Sequence, residues 1–100
     1  MGVKTDPKDL DRTRLPDGQQ RDHLILSDAE RAKGFVRPVR DSYVHARCGG
    51  KTTMPPAIAE TYARQPGFYG ATFCCACGDY FPVGAAGEFT WYGSAEKVGT

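Results

Sequence analysis

Three features of this chain predict a small α+β domain. Two short hooks, His45-x-x-Cys48-Gly49 and Cys74-x-x-Cys77-Gly78, stand 25 residues apart. Between them lies one stretch of helical periodicity, and after them two strand-like aromatic segments flank a glycine-rich loop.

Each hook presents two metal ligands three residues apart, followed by a glycine. Glycine there suits a turn with positive φ, which lets backbone amides swing toward a bound thiolate. Together the hooks supply three sulfurs and one imidazole, a set that fits one tetrahedral zinc ion. The expected ligands are therefore His45, Cys48, Cys74 and Cys77 of one structural Zn2+. A histidine ligand and compact spacing favour zinc over an iron–sulfur cluster. Two alternatives stay open. His45 is a surface histidine in one, with water or His23 as the fourth ligand. In the other Cys75 replaces Cys74, which leaves one residue before Cys77 and a poorer chelate span.

The remaining elements follow in chain order. Residues 1–23 are polar, turn-rich and free of aromatic side chains, which reads as a flexible arm unable to offset its ordering entropy. The domain is expected over 24–93. Ser27-Asp28-Ala29-Glu30 is a capping box opening a short helix that Gly34 stops. Phe35 to Val44 predicts an edge strand or extended segment, because Pro38 cannot donate to a sheet ladder. After the first hook, Pro55 and Pro56 suit the first turn of the central helix. Ile58 and Tyr62, with Ala59 and Ala63, share its buried face, and Pro66-Gly67 ends it. Phe68–Phe73 reads as a strand delivering the second hook. Asp79–Val83 and Glu88–Tyr92 read as a C-terminal β-hairpin around Gly84–Gly87. Residues 94–100 read as a frayed tail. The whole is a zinc-ribbon-like fold with two knuckles, a central helix and a hairpin.

Charge and chemistry narrow the function. Lys and Arg total 13 against 12 acids, so no whole-chain field drives nucleic-acid or membrane binding. No apolar run approaches membrane-spanning length, and the N-terminus has no signal-peptide centre. A reducing cytoplasm is the expected compartment, where paired cysteines mean metal more often than disulfide. Zinc deaminases need His-x-Glu and Pro-Cys-x-x-Cys, whereas this chain reads His45-Ala46-Arg47 and Phe73-Cys74. No βαβ pattern surrounds Cys74-x-x-Cys77 as a redox dithiol would require. Gly49-Gly50-Lys51-Thr52 lacks the upstream glycine of a phosphate loop. A closed four-ligand site leaves no position for substrate, so no enzyme and no small-molecule substrate are expected. The expectation is a non-enzymatic module binding a protein. The alternative is a nucleic-acid-binding ribbon using Arg37, Arg40, Arg47, Lys51 and Arg64 around the first knuckle.

The runs Gly34-Phe35-Val36-Arg37-Pro38-Val39-Arg40, Glu60-Thr61-Tyr62-Ala63-Arg64, Phe68-Tyr69-Gly70-Ala71-Thr72-Phe73-Cys74-Cys75 and Phe81-Pro82-Val83 resemble a family of small phage and prophage proteins. The resemblance spans roughly residues 27–92. It implies a protein acting in a bacterial host cell on a host or phage partner, and it transfers no activity.

Overall fold

The computed structural model describes residues 2–100; Met1, where the expected arm begins, lies outside the described residues. Its elements are β1 (Gly2–Lys4), a 3-10 turn (Pro7–Asp9), β2 (Asp22–Leu24), α1 (Asp28–Arg31), β3 (Ser42–His45), β4 (Lys51–Thr53), α2 (Pro56–Arg64), β5 (Ala71–Cys74), β6 (Asp79–Pro82) and β7 (Phe89–Trp91). They form a parallel pair β1-β2, an antiparallel sheet β4-β3-β7 and an antiparallel pair β5-β6.

Local signals produced the helices as expected. Ser27 Oγ accepts the Glu30 amide at 3.2 Å and caps α1. Pro55 stands at the N-cap of α2 and Pro56 in its first turn. Ile58, Ala59, Tyr62 and Ala63 bury one face. Thr61, also buried, returns its hydroxyl to Ala57 O at 2.8 Å and accepts the Leu26 amide, tying α2 to the segment before α1.

Strand pairing departs from the expected C-terminal hairpin. β6 pairs with β5 in the register Thr72↔Phe81, while β7 pairs with β3 in the register Val44↔Thr90. The loop Gly84–Gly87 therefore carries the chain from one sheet to the other. Each hook instead closes its own hairpin, β3-β4 or β5-β6. The expected edge strand also changes place: Phe35–Asp41 forms no strand, and β3 is the centre of its sheet. Pro38 lies outside the paired residues, so it imposes nothing on β3.

Residues 2–24 are folded onto the domain, in contrast to the flexible arm expected over 1–23. Gly2↔Asp22 and Lys4↔Leu24 pair in parallel. Arg14 bridges Asp79 at 3.2 Å and lies over the Tyr80 ring, and the Gln20 amide donates to Tyr80 Oη at 3.0 Å. Gly18 (φ 93°) presses against Gly78, where an added Cβ would meet Gly78 O at 1.9 Å. Only glycine fits there. These contacts are mostly polar and backbone-mediated, so composition does not reveal them.

The expected frayed tail is corrected too. Val98 is 0 % exposed, and its backbone pairs with Gly84 and Phe89. The radius of gyration, 12.9 Å, is close to the ~13 Å of a compact 100-residue chain.

The core gathers Ile25, Tyr43, Met54, Ile58, Tyr62, Cys74, Phe89, Trp91 and Val98. Tyr43 meets Phe89 edge-on at 5.2 Å, and Tyr62 meets Trp91 edge-on at 5.5 Å. Cys74 thus belongs at once to the core and to a ligand hook. Among the described residues no helix is long and apolar enough to cross a membrane.

Candidate metal centre

The two hooks fold into the same turn. At the end of β3, the Gly49 amide donates to His45 O at 2.7 Å, with Gly49 at φ 72°. At the end of β5, the Gly78 amide donates to Cys74 O at 2.8 Å, with Gly78 at φ 70°. Backbone amides then point at sulfur. Gly50 N–H donates to Cys48 Sγ at 3.3 Å, and Cys77 N–H donates to Cys74 Sγ at 3.4 Å. Such bonds stabilise thiolates and preorganise them as ligands. The turns meet at Gly50, where an added Cβ would lie 2.6 Å from the Ala76 Cβ.

His45, Cys48, Cys74 and Cys77 converge, with all four ligand atoms within 4.8 Å of one another. His45 Nδ1 lies 3.5 Å from both Cys48 Sγ and Cys77 Sγ, and Cys48 Sγ lies 3.5 Å from Cys74 Sγ. His45 and Cys74 are buried while Cys48 and Cys77 reach the surface. These residues can hold a metal ion.

The environment of His45 fits that role. Its ring is held between Phe81 and Phe89, with centroids at 4.5 and 4.6 Å. Nε2 faces Glu88 Oε1 at 2.9 Å, so the hydrogen belongs on Nε2 and the Nδ1 lone pair faces the sulfurs. Arg47 approaches the same carboxylate oxygen at 3.2 Å and lies over Phe81. Glu88 is a site residue that the sequence reading missed. It follows His45 by 43 positions, and no local pattern marks it.

The electrostatics of the thiols have the same sense. The Gly50 amide, with further hydrogen bonds from the neighbouring ligands, lowers the Cys48 pKa to about 7. Hydrogen bonding to Cys48, then burial, pushes the Cys77 thiol up to about 12. Three sulfurs this close resist joint ionisation, and a cation among them removes that resistance.

Neither alternative ligand enters the cluster. His23 Nε2 contacts Tyr80 Oη at 3.0 Å. Cys75 faces β4, where its Sγ lies 3.2 Å from Lys51 O and 3.3 Å from Thr52 Oγ1.

The five basic residues do not share one surface role. Arg47 pairs with Glu88, Arg40 with Glu96 at 3.1 Å, and Arg64 approaches Glu30 at 3.8 Å. Arg40 also lies over Trp91, and Lys51 lies over the Tyr92 ring. Arg37 donates to Thr100 O at 3.1 Å. No family model, curated protein or solved structure matches this chain.

Glu88→Ala is expected to lower metal affinity about 10–100-fold while leaving the fold intact, as for other carboxylates that orient a histidine ligand. Competition against a chromophoric chelator measures this. Unchanged affinity would show that Glu88 does not orient His45.

Proposed function

We propose that the chain is a zinc-stabilised, non-enzymatic module that binds a protein partner. Zinc is favoured by the donor set, three sulfurs and one neutral imidazole nitrogen. A tetrahedral ion with Zn–S bonds of about 2.3 Å needs sulfurs roughly 3.8 Å apart, and the observed 3.5 Å spacing lies close to that. Four protein ligands fill the coordination sphere, which supports a structural ion rather than a reacting one. Paired hairpin knuckles around one ion support a zinc-ribbon-like arrangement, to which α2 and β7 are additions.

One observation carries the binding reading. Phe35, Val36 and Val39 are between 45 and 58 % exposed along a segment without secondary structure. The segment is fastened to α2, where Val36 N–H and Arg37 N–H both donate to Ala63 O at 2.9 and 3.1 Å. An apolar run presented this way, with Arg37 and Arg40 beside it, has the composition of a protein-binding patch. Resemblance to phage and prophage proteins supports a host or phage partner in the bacterial cytoplasm. The nucleic-acid reading has less support, because carboxylates already engage Arg40, Arg47 and Arg64.

The test immobilises the zinc-loaded chain and a Phe35→Asp/Val36→Asp/Val39→Asp variant, and passes bacterial host lysate over both. A protein retained by the parent and lost from the folded variant is expected. Equal retention, or none, would contradict the reading. Tight DNA binding that collapses with added salt would put the nucleic-acid reading in its place.

A further inference from the structure

The two knuckle turns share one geometry but not one environment. Outside Gly49 the space is open, and an added Cβ would meet nothing within 4 Å. Outside Gly78 the chain is covered by residues 14–20 of the docked N-terminal segment.

Residues 14–20 form a closed turn of their own. Arg14 and Gln20 pair as an antiparallel bridge. Leu15 N–H donates to Gln19 O at 2.7 Å, and Gly18 N–H donates to Leu15 O at 2.9 Å. The Arg14 guanidinium reaches back to Gly18 O at 2.8 Å. A preformed loop loses little further entropy on docking, so modest contacts suffice to hold it. Those contacts fall on the three residues that follow Cys77. Gly18 turns the hydrogen at its Cβ position toward Gly78 O, and a Cβ added at Gly78 would lie 3.2 Å from Asp17 O. Arg14 bridges Asp79 Oδ1 at 3.2 Å and lies over the Tyr80 ring, while the Gln20 amide donates to Tyr80 Oη.

Cys48 and Cys77 are the exposed members of the ligand cluster, so a competing chelator gains entry there. The Gly78 amide closes its turn on Cys74 O, which ties any outward swing of Cys77 to movement of Gly78 and Asp79. The docked loop opposes that movement. We propose that residues 14–20 are a latch on the second knuckle, which holds Gly78 and Asp79 in place and slows loss of a metal ion from His45, Cys48, Cys74 and Cys77. The latch presupposes the metal binding proposed for these four residues. By linkage, a loaded knuckle stabilises the docked loop to the same degree that the loop stabilises the loaded knuckle. Gly18 and Arg14 are thus positioning residues that act through Gly78 and Asp79.

The experiment loads the full chain with Co2+ and follows loss of its thiolate–cobalt absorption after excess chelator is added. Arg14→Ala, at an exposed side chain, should speed cobalt loss about threefold, the scale of an exposed ion pair. Gly18→Ala, which drives a methyl into Gly78 O, should speed it about tenfold, as for other groups that support a ligand from outside. Arg14→Lys, which keeps the charge facing Asp79, should restore part of the loss. Ser27→Ala serves as the control, since it removes the α1 cap and lowers the melting temperature without touching either knuckle. Its cobalt loss should match the parent's. Parental rates in both Arg14→Ala and Gly18→Ala would overturn the latch alone. Rates that follow melting temperature, Ser27→Ala included, would reduce the loop to a general structural role and overturn it equally. A parent chain with no thiolate–cobalt absorption would refute the metal reading and the latch with it.

Discussion

Cys74→Ser is expected to abolish cooperative unfolding, whereas Cys75→Ser leaves the melt and the metal content of the chain unchanged. The contrast follows from where two adjacent sulfurs point. Cys74 is fully buried, belongs to the hydrophobic core and lies 3.5 Å from Cys48 Sγ. Replacing it removes one of the four side chains that can hold a metal ion and places a hydroxyl among apolar side chains. Structural zinc contributes on the order of 10–16 kcal/mol to small metal-dependent domains. Whole domains retain only about 5–15 kcal/mol of net stability, so loss of the site exceeds the margin. Cys75 is exposed, and the bond between its backbone amide and Thr52 Oγ1 at 3.1 Å survives substitution. A serine hydroxyl there can still donate to Lys51 O. Circular dichroism melts of both variants decide the matter. A cooperative Cys74→Ser transition beside a disrupted Cys75→Ser protein would reassign the ligand.

The second large effect is expected at the opposite end of the chain. Val98→Asp should destabilise the protein by at least about 3 kcal/mol, because it places an unpaired carboxylate in an apolar core. Val98 has no exposed surface and packs in the central cluster. Its carbonyl receives the Gly84 amide at 2.7 Å, and its own amide donates to Phe89 O at 3.1 Å. Together these bonds tie the loop between the two sheets to β7. Urea unfolding should show a lower midpoint with an unchanged slope. A change within about 0.5 kcal/mol, as for an ordinary surface substitution, would mean that the tail does not pack there.

Both effects bear on what can be read from this sequence. Ligand hooks, their glycines, the Ser27 cap and the buried face of α2 are local patterns, and each has the expected geometry in the structure. Val98 was not legible, since a lone valine among polar residues carries no periodicity. The docking of residues 2–24 was equally hidden. It depends on Gly18 against Gly78 and on the Gln20 amide reaching Tyr80, which are close approaches of backbone rather than patterns of hydrophobicity. Strand partners were misassigned because hydrophobic alternation identifies strands without naming their neighbours. Aromatic strands flanking Gly84–Gly87 have the signature of a hairpin, yet β6 and β7 find earlier partners in β5 and β3. Glu88 illustrates the same limit at the site itself. A carboxylate that contacts a candidate ligand 43 positions away is recognised by geometry alone.

The most direct test is the zinc content of the full chain purified without added metal, measured together with its fold. One zinc ion per chain is expected, with loss of cooperative structure when a strong chelator removes it and recovery when zinc is restored. A well-folded chain that contains no zinc and melts identically with and without chelator would contradict the central claim.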